Sequence, residues 1–311
     1  MNQEIVIPEK CLKGGYLAHM ITFRCNGGCP YCLVQGRGKT HHYDELPGSD
    51  VIKIWNSVRG HDGLRLSIIG GECTLHKDFV EIIHGLCGYQ VTITTNLATA
   101  FFDRPDFWRD LVVPYKLRVN TTFHPSSPIT AERYAERIGV MKANGIWVDQ
   151  IGMVQHPELD KEKWKKKFAE LGLPMRQITF LGFWDEASGF CKDMREETLF
   201  PNERSDKVKI MSECGIDDIA RYKAQCGQPQ DSVVEWDCAH GTLCFIVAPD
   251  GTVHECHYKL YYNIDPLGNA LTGFTPITGA HTCSSFGKCN FCDIPRLRQT
   301  GLDWKTMRKV K

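Results

Sequence analysis

The chain has 311 residues, enough for one large domain with a small one or for two of medium size. Lys plus Arg and Asp plus Glu both number 37, and this zero formal net charge argues against bulk attraction to nucleic acid or an anionic membrane. The 15 cysteines are many and odd in number, the opening MNQEIVIPEK has no apolar signal core, and no apolar run reaches membrane-spanning length. A cytoplasmic protein is therefore expected, its cysteines serving as metal ligands or packing residues, not as disulfides.

A strand-like apolar run, Tyr16–Phe23, leads into Arg24-Cys25-Asn26-Gly27-Gly28-Cys29-Pro30-Tyr31-Cys32. Three cysteines at C-x3-C-x2-C on a Gly/Pro-rich loop can hold one face of an iron–sulfur cluster, whereas a fully protein-ligated four-iron cubane takes four. The missing fourth ligand leaves an iron open, and open sites are where metal centres do chemistry. Short cysteine spacing also suits zinc.

Strands are predicted at Leu64–Ile69, Val91–Thr95, Tyr115–Thr122, Ile146–Val154 and Met175–Leu181. Between them, helix-period apolar residues recur in Asp50–Arg59, Asp78–Leu86, Thr130–Asn144 and Asp160–Leu171, with Thr130 and Asp160 as caps and Gly145 as a stop. Six strand–helix units imply a parallel sheet with helical crossovers, too few for a closed eight-fold barrel, so an open, partial (β/α)6 barrel is expected. Chemistry on such sheets sits beyond the C-terminal strand ends. Those ends read Gly70-Gly71-Glu72, Thr94-Thr95-Asn96, Thr122-Phe123-His124-Pro125 and Met153-Val154-Gln155-His156-Pro157. Two glycines allow a sharp turn and a close backbone approach to a ligand. Period-2 alternation puts Asn120, Thr122 and His124 on one side of the fourth strand. His124 and His156 at two neighbouring strand ends point to a polar barrel mouth, with hydrogen bonding or acid–base work near neutral pH as their candidate catalytic roles.

After about residue 185 the chain turns polar, and 186–232 reads as a bridging helix and loops. Beyond it, Phe245–Ala248 and Thr252–His254 flank the turn signal Pro249-Asp250-Gly251, predicting a hairpin. Cys238 and Cys256 stand outside its two ends, where a hairpin brings them together, and the C-x2-C pair Cys289/Cys292 completes a set of four. Such a set suits an iron–sulfur cluster without an open site or a zinc ribbon. Cys226, Cys244 and Cys283 are surplus, with packing the expected role of Cys244.

The three-cysteine loop, with an aromatic (Tyr31) before its last cysteine, resembles the cluster loop of the radical S-adenosylmethionine superfamily, whose fold is a partial (β/α)6 barrel. The resemblance implies a [4Fe–4S] cluster on Cys25, Cys29 and Cys32, with S-adenosylmethionine on the open iron. It implies contacts to that cofactor from Gly70, Gly71 and Glu72 after the second strand, from Thr94 and Asn96 after the third, from Thr122 after the fourth, and from Met153 and Val154 near adenine. Cys73 replaces the proline common in the family, and His124 stands where many relatives carry Asp. The C-terminal pattern, including Gly251-x4-Cys256, resembles the Twitch half of the SPASM/Twitch auxiliary-cluster region. It implies one auxiliary [4Fe–4S] cluster on Cys238, Cys256, Cys289 and Cys292. The expected domains are 1–185 (radical SAM barrel), 186–232 (bridge) and 233–311 (auxiliary cluster).

The expected function is generation of a 5′-deoxyadenosyl radical and hydrogen abstraction from a small polar molecule, such as a sugar, cyclitol or nucleotide-sugar derivative, for oxidation or epimerisation. The auxiliary cluster would transfer electrons, and a flavodoxin- or ferredoxin-type protein would be the external one-electron reductant. Only 24 residues precede Cys25, too few for an added peptide-recognition domain, and the barrel mouth offers hydroxyls, amides and histidines. An epimerase would need a hydrogen-atom donor, for which Cys73, Cys191, Cys226 and Cys244 are candidates. Modification of a peptide or protein side chain is the alternative enzyme reading, and a non-catalytic iron–sulfur or zinc protein is the alternative of another class.

Overall fold

The computed structural model describes residues 5–7, 16–29, 32, 34, 41–154, 159–178, 237–238, 241, 244–277 and 281–282. Six parallel strands follow one another across the sheet: β1 (Tyr16–Thr22), β2 (Arg65–Gly70), β3 (Gln90–Thr95), β4 (Leu117–Phe123), β5 (Trp147–Val154) and β6 (Arg176–Ile178). The crossovers carry α1 (Gly48–Asn56), α2 (Phe79–Gly85), α3 (Ala131–Ala143) and α4 (Lys161–Glu170). Thr130 Oγ1 accepts from the Arg133 N–H at 3.2 Å and Asp160 Oδ1 from the Lys163 N–H at 2.9 Å, so both predicted caps satisfy a helix-end donor. Between β3 and β4 the chain makes two 3-10 turns, Ala100–Asp103 and Phe107–Leu111, which fold Phe101, Phe102 and Phe107 into one aromatic cluster.

Alternation sorts each strand into two faces. Leu66, Ile68, Val91, Ile93 and Val119 are fully buried against the helices, together with Ile82, Tyr134, Ile138 and Met141. Each such side chain contributes roughly 1.5–3 kcal/mol of transfer free energy. The opposite face is concave and only half buried, carrying Ser67, Thr92, Thr94, Asn120 and Thr122. This is the amphipathic strand pattern of a barrel whose lumen is left polar. The architecture is the expected α/β partial barrel.

The C-terminal hairpin, β8 (Cys244–Val247) and β9 (Thr252–His254), joins the same sheet, with β8 parallel to β1 in the register Tyr16↔Cys244 to His19↔Val247. Short antiparallel strands β10 (Gly268–Asn269) and β11 (Gly273–Phe274) extend it, and helix α5 (His257–Tyr262) packs Leu260 and Tyr261 against Ala18, Met20, Ile246 and Ala248. Separately, β7 (Asp237–Cys238) pairs with β12 (His281–Thr282), placing Cys238 opposite His281. Because β8 is parallel to β1, the 249–251 turn lies toward the C-terminal strand ends. β9 runs back, so Cys256 emerges near the N-terminal end of β1, which is roughly 20 Å from its other end at 3.3 Å per residue. Among the described residues no helix is long and apolar enough to cross a membrane.

Candidate functional site

The cysteine loop leaves the C-terminal end of β1 and is held there by main chain and by one ion pair. Past the strands the β1–β2 ladder continues: the Gly71 N–H donates to the Thr22 carbonyl at 2.9 Å and the Glu72 N–H to the Arg24 carbonyl at 2.8 Å. A Cβ on Gly70 would stand 2.4 Å from the Thr22 oxygen, and one on Gly71 2.4 Å from the Arg24 oxygen. Both contacts are with backbone, so close approach requires glycine at both positions. Arg24 forks onto Glu45 through Nε at 2.8 Å and a terminal nitrogen at 2.7 Å, and also donates to the Leu75 carbonyl at 2.7 Å. Burial pushes the Glu45 carboxyl up, but hydrogen bonds from Arg24 and Thr22 outweigh it and hold the group below the usual range. Sequence reasoning missed this brace, because Glu45 is distant in the chain and has no motif around it.

Within the loop, Cys25 Sγ accepts from the Gly27 N–H at 3.3 Å, and Cys29 Sγ from the Ser126 hydroxyl at 3.3 Å. A Cβ on Gly27 would lie 3.6 Å from each of these two sulfurs, so this glycine sits between them. The Cys32 N–H donates to the Cys29 carbonyl at 3.1 Å, and all three cysteines are half-buried. Burial, reinforced by the nearby Glu72, Cys32 and Cys29 charges and only partly offset by the Gly27 N–H, pushes the Cys25 thiol up to about 11. A thiolate in this position calls for a cationic partner, which iron supplies. Three half-buried cysteines on one loop are the donor set of a four-iron cluster that keeps one iron open.

Glu72 has an inward role. Its side chain is 1% exposed, and Oε1 accepts from the Thr74 and Thr95 hydroxyls, each at 2.7 Å, while Oε2 accepts from the Asn96 N–H at 2.7 Å. Burial raises its carboxyl, opposed by those same bonds. A ligand at this turn therefore meets main chain before it meets the Glu72 carboxylate. Asn96 ties β3 to the cysteine loop: its Nδ2 donates to Asn26 Oδ1 at 2.9 Å and lies 3.8 Å from Cys25 Sγ, and its Oδ1 accepts from the Ala98 N–H at 2.8 Å. Asn26 answers by donating to the Ala98 carbonyl at 2.8 Å. Thus three of the expected strand ends meet at one place.

Thr94 presents its carbonyl to the Cys73 thiol at 3.3 Å. Cys73 and Cys244 are both fully buried, and burial holds the Cys73 thiol well above its ordinary range, as for a packing residue. Thr122 lies on the concave face opposite Gly152. His124 follows β4, and its carbonyl accepts from the Ser127 N–H at 2.8 Å. Burial holds the His124 ring down at about 4, which favours the neutral imidazole at neutral pH. Met153 is buried on the helix side of β5, lining a cavity of about 420 Å³ with Trp164 and Phe168, so only its main chain is free for the lumen. Val154, half-buried, belongs to the other face.

Of the C-terminal set, Cys256 is half-buried just after β9. The preceding Glu255 is a buried carboxylate 2.8 Å from Lys259 Nζ and 2.9 Å from His281 Nε2, which joins β9 to α5 and β12. Burial raises the Glu255 carboxyl, but His281 and Lys259 outweigh it and the group is held below the usual range. Tyr31, His156, Cys191, Cys226, Cys283, Cys289 and Cys292 lie outside the described residues, as does the 186–232 bridge.

No protein-family profile matches the chain. Over 98 residues it is 32% identical to a GTP 3',8-cyclase of Psychromonas ingrahamii, covering 30% of this chain and 29% of that protein. Over 120 residues it is 30% identical to a probable GTP 3',8-cyclase of Saccharolobus islandicus, covering 36% of each. These matches span about a third of the relatives' length. Among solved structures, the chain is similar to Streptococcus suis SuiB bound to S-adenosylmethionine (TM-score 0.53, 14% identity, 84% of this chain and 64% of that one). It is also similar to anSMEcpe with bound AdoMet (TM-score 0.51, 18% identity, 83% of this chain and 78% of that one).

Proposed function

We propose that this chain, a radical S-adenosylmethionine protein by its cysteine loop, its glycine turn and its fold, is an enzyme that abstracts hydrogen from a small polar substrate held in the barrel lumen. The observation that carries the reading is the convergence of the cysteine loop, the Gly70-Gly71 turn and the β3 end on one another through Asn96, Asn26 and Cys25. Cys25, Cys29 and Cys32 would hold a [4Fe–4S] cluster, and the main chain at Gly70 and Gly71 would receive S-adenosylmethionine beside it. When bound, this pair supplies a 5′-deoxyadenosyl radical that takes a hydrogen atom from substrate. The chain's own contribution is position and water exclusion. Gly27 N–H and the Ser126 hydroxyl orient thiolate lone pairs, Asn96 fixes the loop against β3, and Arg24–Glu45 fixes it against the 41–47 segment.

The polar concave face supports a sugar-, cyclitol- or nucleotide-sugar-like substrate, with oxidation or epimerisation as the outcome. In this reading, residues 1–185 form the radical domain and 186–232 a bridge. Residues 233–311 carry one auxiliary [4Fe–4S] cluster on Cys238, Cys256, Cys289 and Cys292 for electron transfer. The names of the sequence relatives favour a second reading, a nucleotide substrate.

Anaerobic reconstitution tests the proposal. Two clusters predict about eight irons per chain, and S-adenosylmethionine with a one-electron reductant should yield 5′-deoxyadenosine. Absence of 5′-deoxyadenosine from protein holding its full iron would overturn the enzyme reading.

A further inference from the structure

The turn that follows β4 lies against the cysteine loop. The Ser127 N–H donates to the His124 carbonyl at 2.8 Å, closing His124-Pro125-Ser126-Ser127 into a β-turn. Pro125 takes the second position, where its fixed φ suits the turn, so main chain sets where Ser126 stands. β4 is three strands from β1 in the sheet, yet the Ser126 hydroxyl donates to Cys29 Sγ at 3.3 Å, 97 residues away in the chain. A Cβ built on Gly27 would lie 3.9 Å from Ser127 Oγ and 3.6 Å from each of the Cys25 and Cys29 sulfurs, so turn and loop pack together at the sulfurs themselves.

The donors to Cys25 are of another kind. The Gly27 N–H, at 3.3 Å, belongs to the main chain, and Asn96 Nδ2, at 3.8 Å, also holds Asn26 Oδ1 at 2.9 Å. Ser126 is an exposed residue whose turn is closed by main chain, so its hydroxyl can be removed with the turn left in place. A thiol is a weak acceptor and a thiolate a strong one, so this bond strengthens when Cys29 is ionised as a metal ligand. Hydrogen bonds to ligand sulfurs are among the levers that set a cluster's potential. Reduction adds one negative charge, and a donor on the ligand sulfur therefore stabilises the reduced form more than the oxidised one.

Resting on the radical-enzyme reading above, we propose that Ser126 is a positioning residue that sets the reduction potential of the cluster on Cys25, Cys29 and Cys32. It acts through the Cys29 sulfur and touches no substrate. Its hydroxyl raises the potential, so one-electron transfer from the external reductant becomes easier. The effect is about three- to tenfold in the one-electron equilibrium, or about 30–60 mV at 59 mV per tenfold.

Redox titration followed by electron paramagnetic resonance, on the full reconstituted chain, reads the potential of the reduced-cluster signal that Cys25→Ala abolishes. Ser126→Ala should hold wild-type iron and titrate about 30–60 mV more negative, a three- to tenfold loss in the equilibrium. Ser126→Thr, which keeps the hydroxyl, should titrate with the wild type. A wild-type potential in Ser126→Ala overturns the assignment, and so does an equal drop in Ser126→Thr, which would trace the shift to the turn and not to the hydroxyl. Loss of first-cluster iron from Ser126→Ala also overturns it, by making the contact a structural tie. Formation of 5′-deoxyadenosine by the same wild-type preparation is measured separately. An unchanged potential in a chain that forms it sinks the Ser126 assignment alone, and a shifted potential in a chain that forms none sinks the radical-enzyme reading alone. Absence of any signal that depends on Cys25 sinks both.

Discussion

His19 makes the C-terminal hairpin sensitive to acid. It is fully buried in β1, where its Nδ1 accepts from the Trp55 indole N–H at 3.0 Å and its Nε2 lies 3.1 Å from the Ala248 carbonyl. Because indole can only donate and a carbonyl can only accept, these partners specify the neutral ring protonated on Nε2. A second proton would set two N–H groups against each other in the core. Burial holds the ring down to about 3, against 6.5 in a free chain. The folded pKa is depressed, so for this basic group the unfolded chain binds the proton first, and the contribution is intact above pH 6.5 and lost as pH falls below it. From pH 7.5 to pH 5 the loss is about 2 kcal/mol, and it grows by about 1.4 kcal/mol for each further pH unit until the folded pKa is reached. That is a large share of a typical 5–15 kcal/mol stability. Urea unfolding of the wild-type chain and of His19→Gln, which keeps a donor and an acceptor but cannot titrate, should give a stability difference that shrinks by about 2 kcal/mol between these pH values. Equal pH slopes for the two proteins, or a folded-state His19 resonance titrating near 6.5, would refute the reasoning.

Three further outcomes are expected. Gly71→Ala places a methyl 2.4 Å from the Arg24 carbonyl oxygen and should cost about 1–3 kcal/mol in thermal unfolding, with weaker iron retention on gel filtration. Glu72→Gln turns an amide N–H₂ toward Thr74, Thr95 or Asn96 donors, and should cost about 1–3 kcal/mol while iron content stays at the wild-type level. Alanine at Cys25, Cys29 or Cys32 should remove about four irons per chain and all 5′-deoxyadenosine formation, whereas Cys256→Ala should remove the auxiliary iron and leave the first cluster's spectrum. Iron assay and electron paramagnetic resonance separate these cases.

What the sequence by itself determined is local. The period-2 and period-3.6 patterns give the strand–helix alternation, Thr130 and Asp160 announce their helices, and C-x3-C-x2-C marks three thiolates that can hold a metal centre with one site open. The Pro249-Asp250-Gly251 turn is legible for the same reason, since it needs only its own backbone preferences, with Gly251 at φ +87°. Tertiary structure decided everything that rests on register between distant segments. The pairing of β8 with β1 joins residues more than 220 apart in sequence, and it places Cys256 toward the opposite end of β1 from the cysteine loop. Which way Glu72 turns depends on hydroxyls from Thr74 and Thr95 that only the packed sheet brings to it. At the end of β5, Met153 is buried beside Trp164 and Phe168 while the half-buried Val154 belongs to the other face. Alternation supplies two faces, but only packing decides which of them meets the helices.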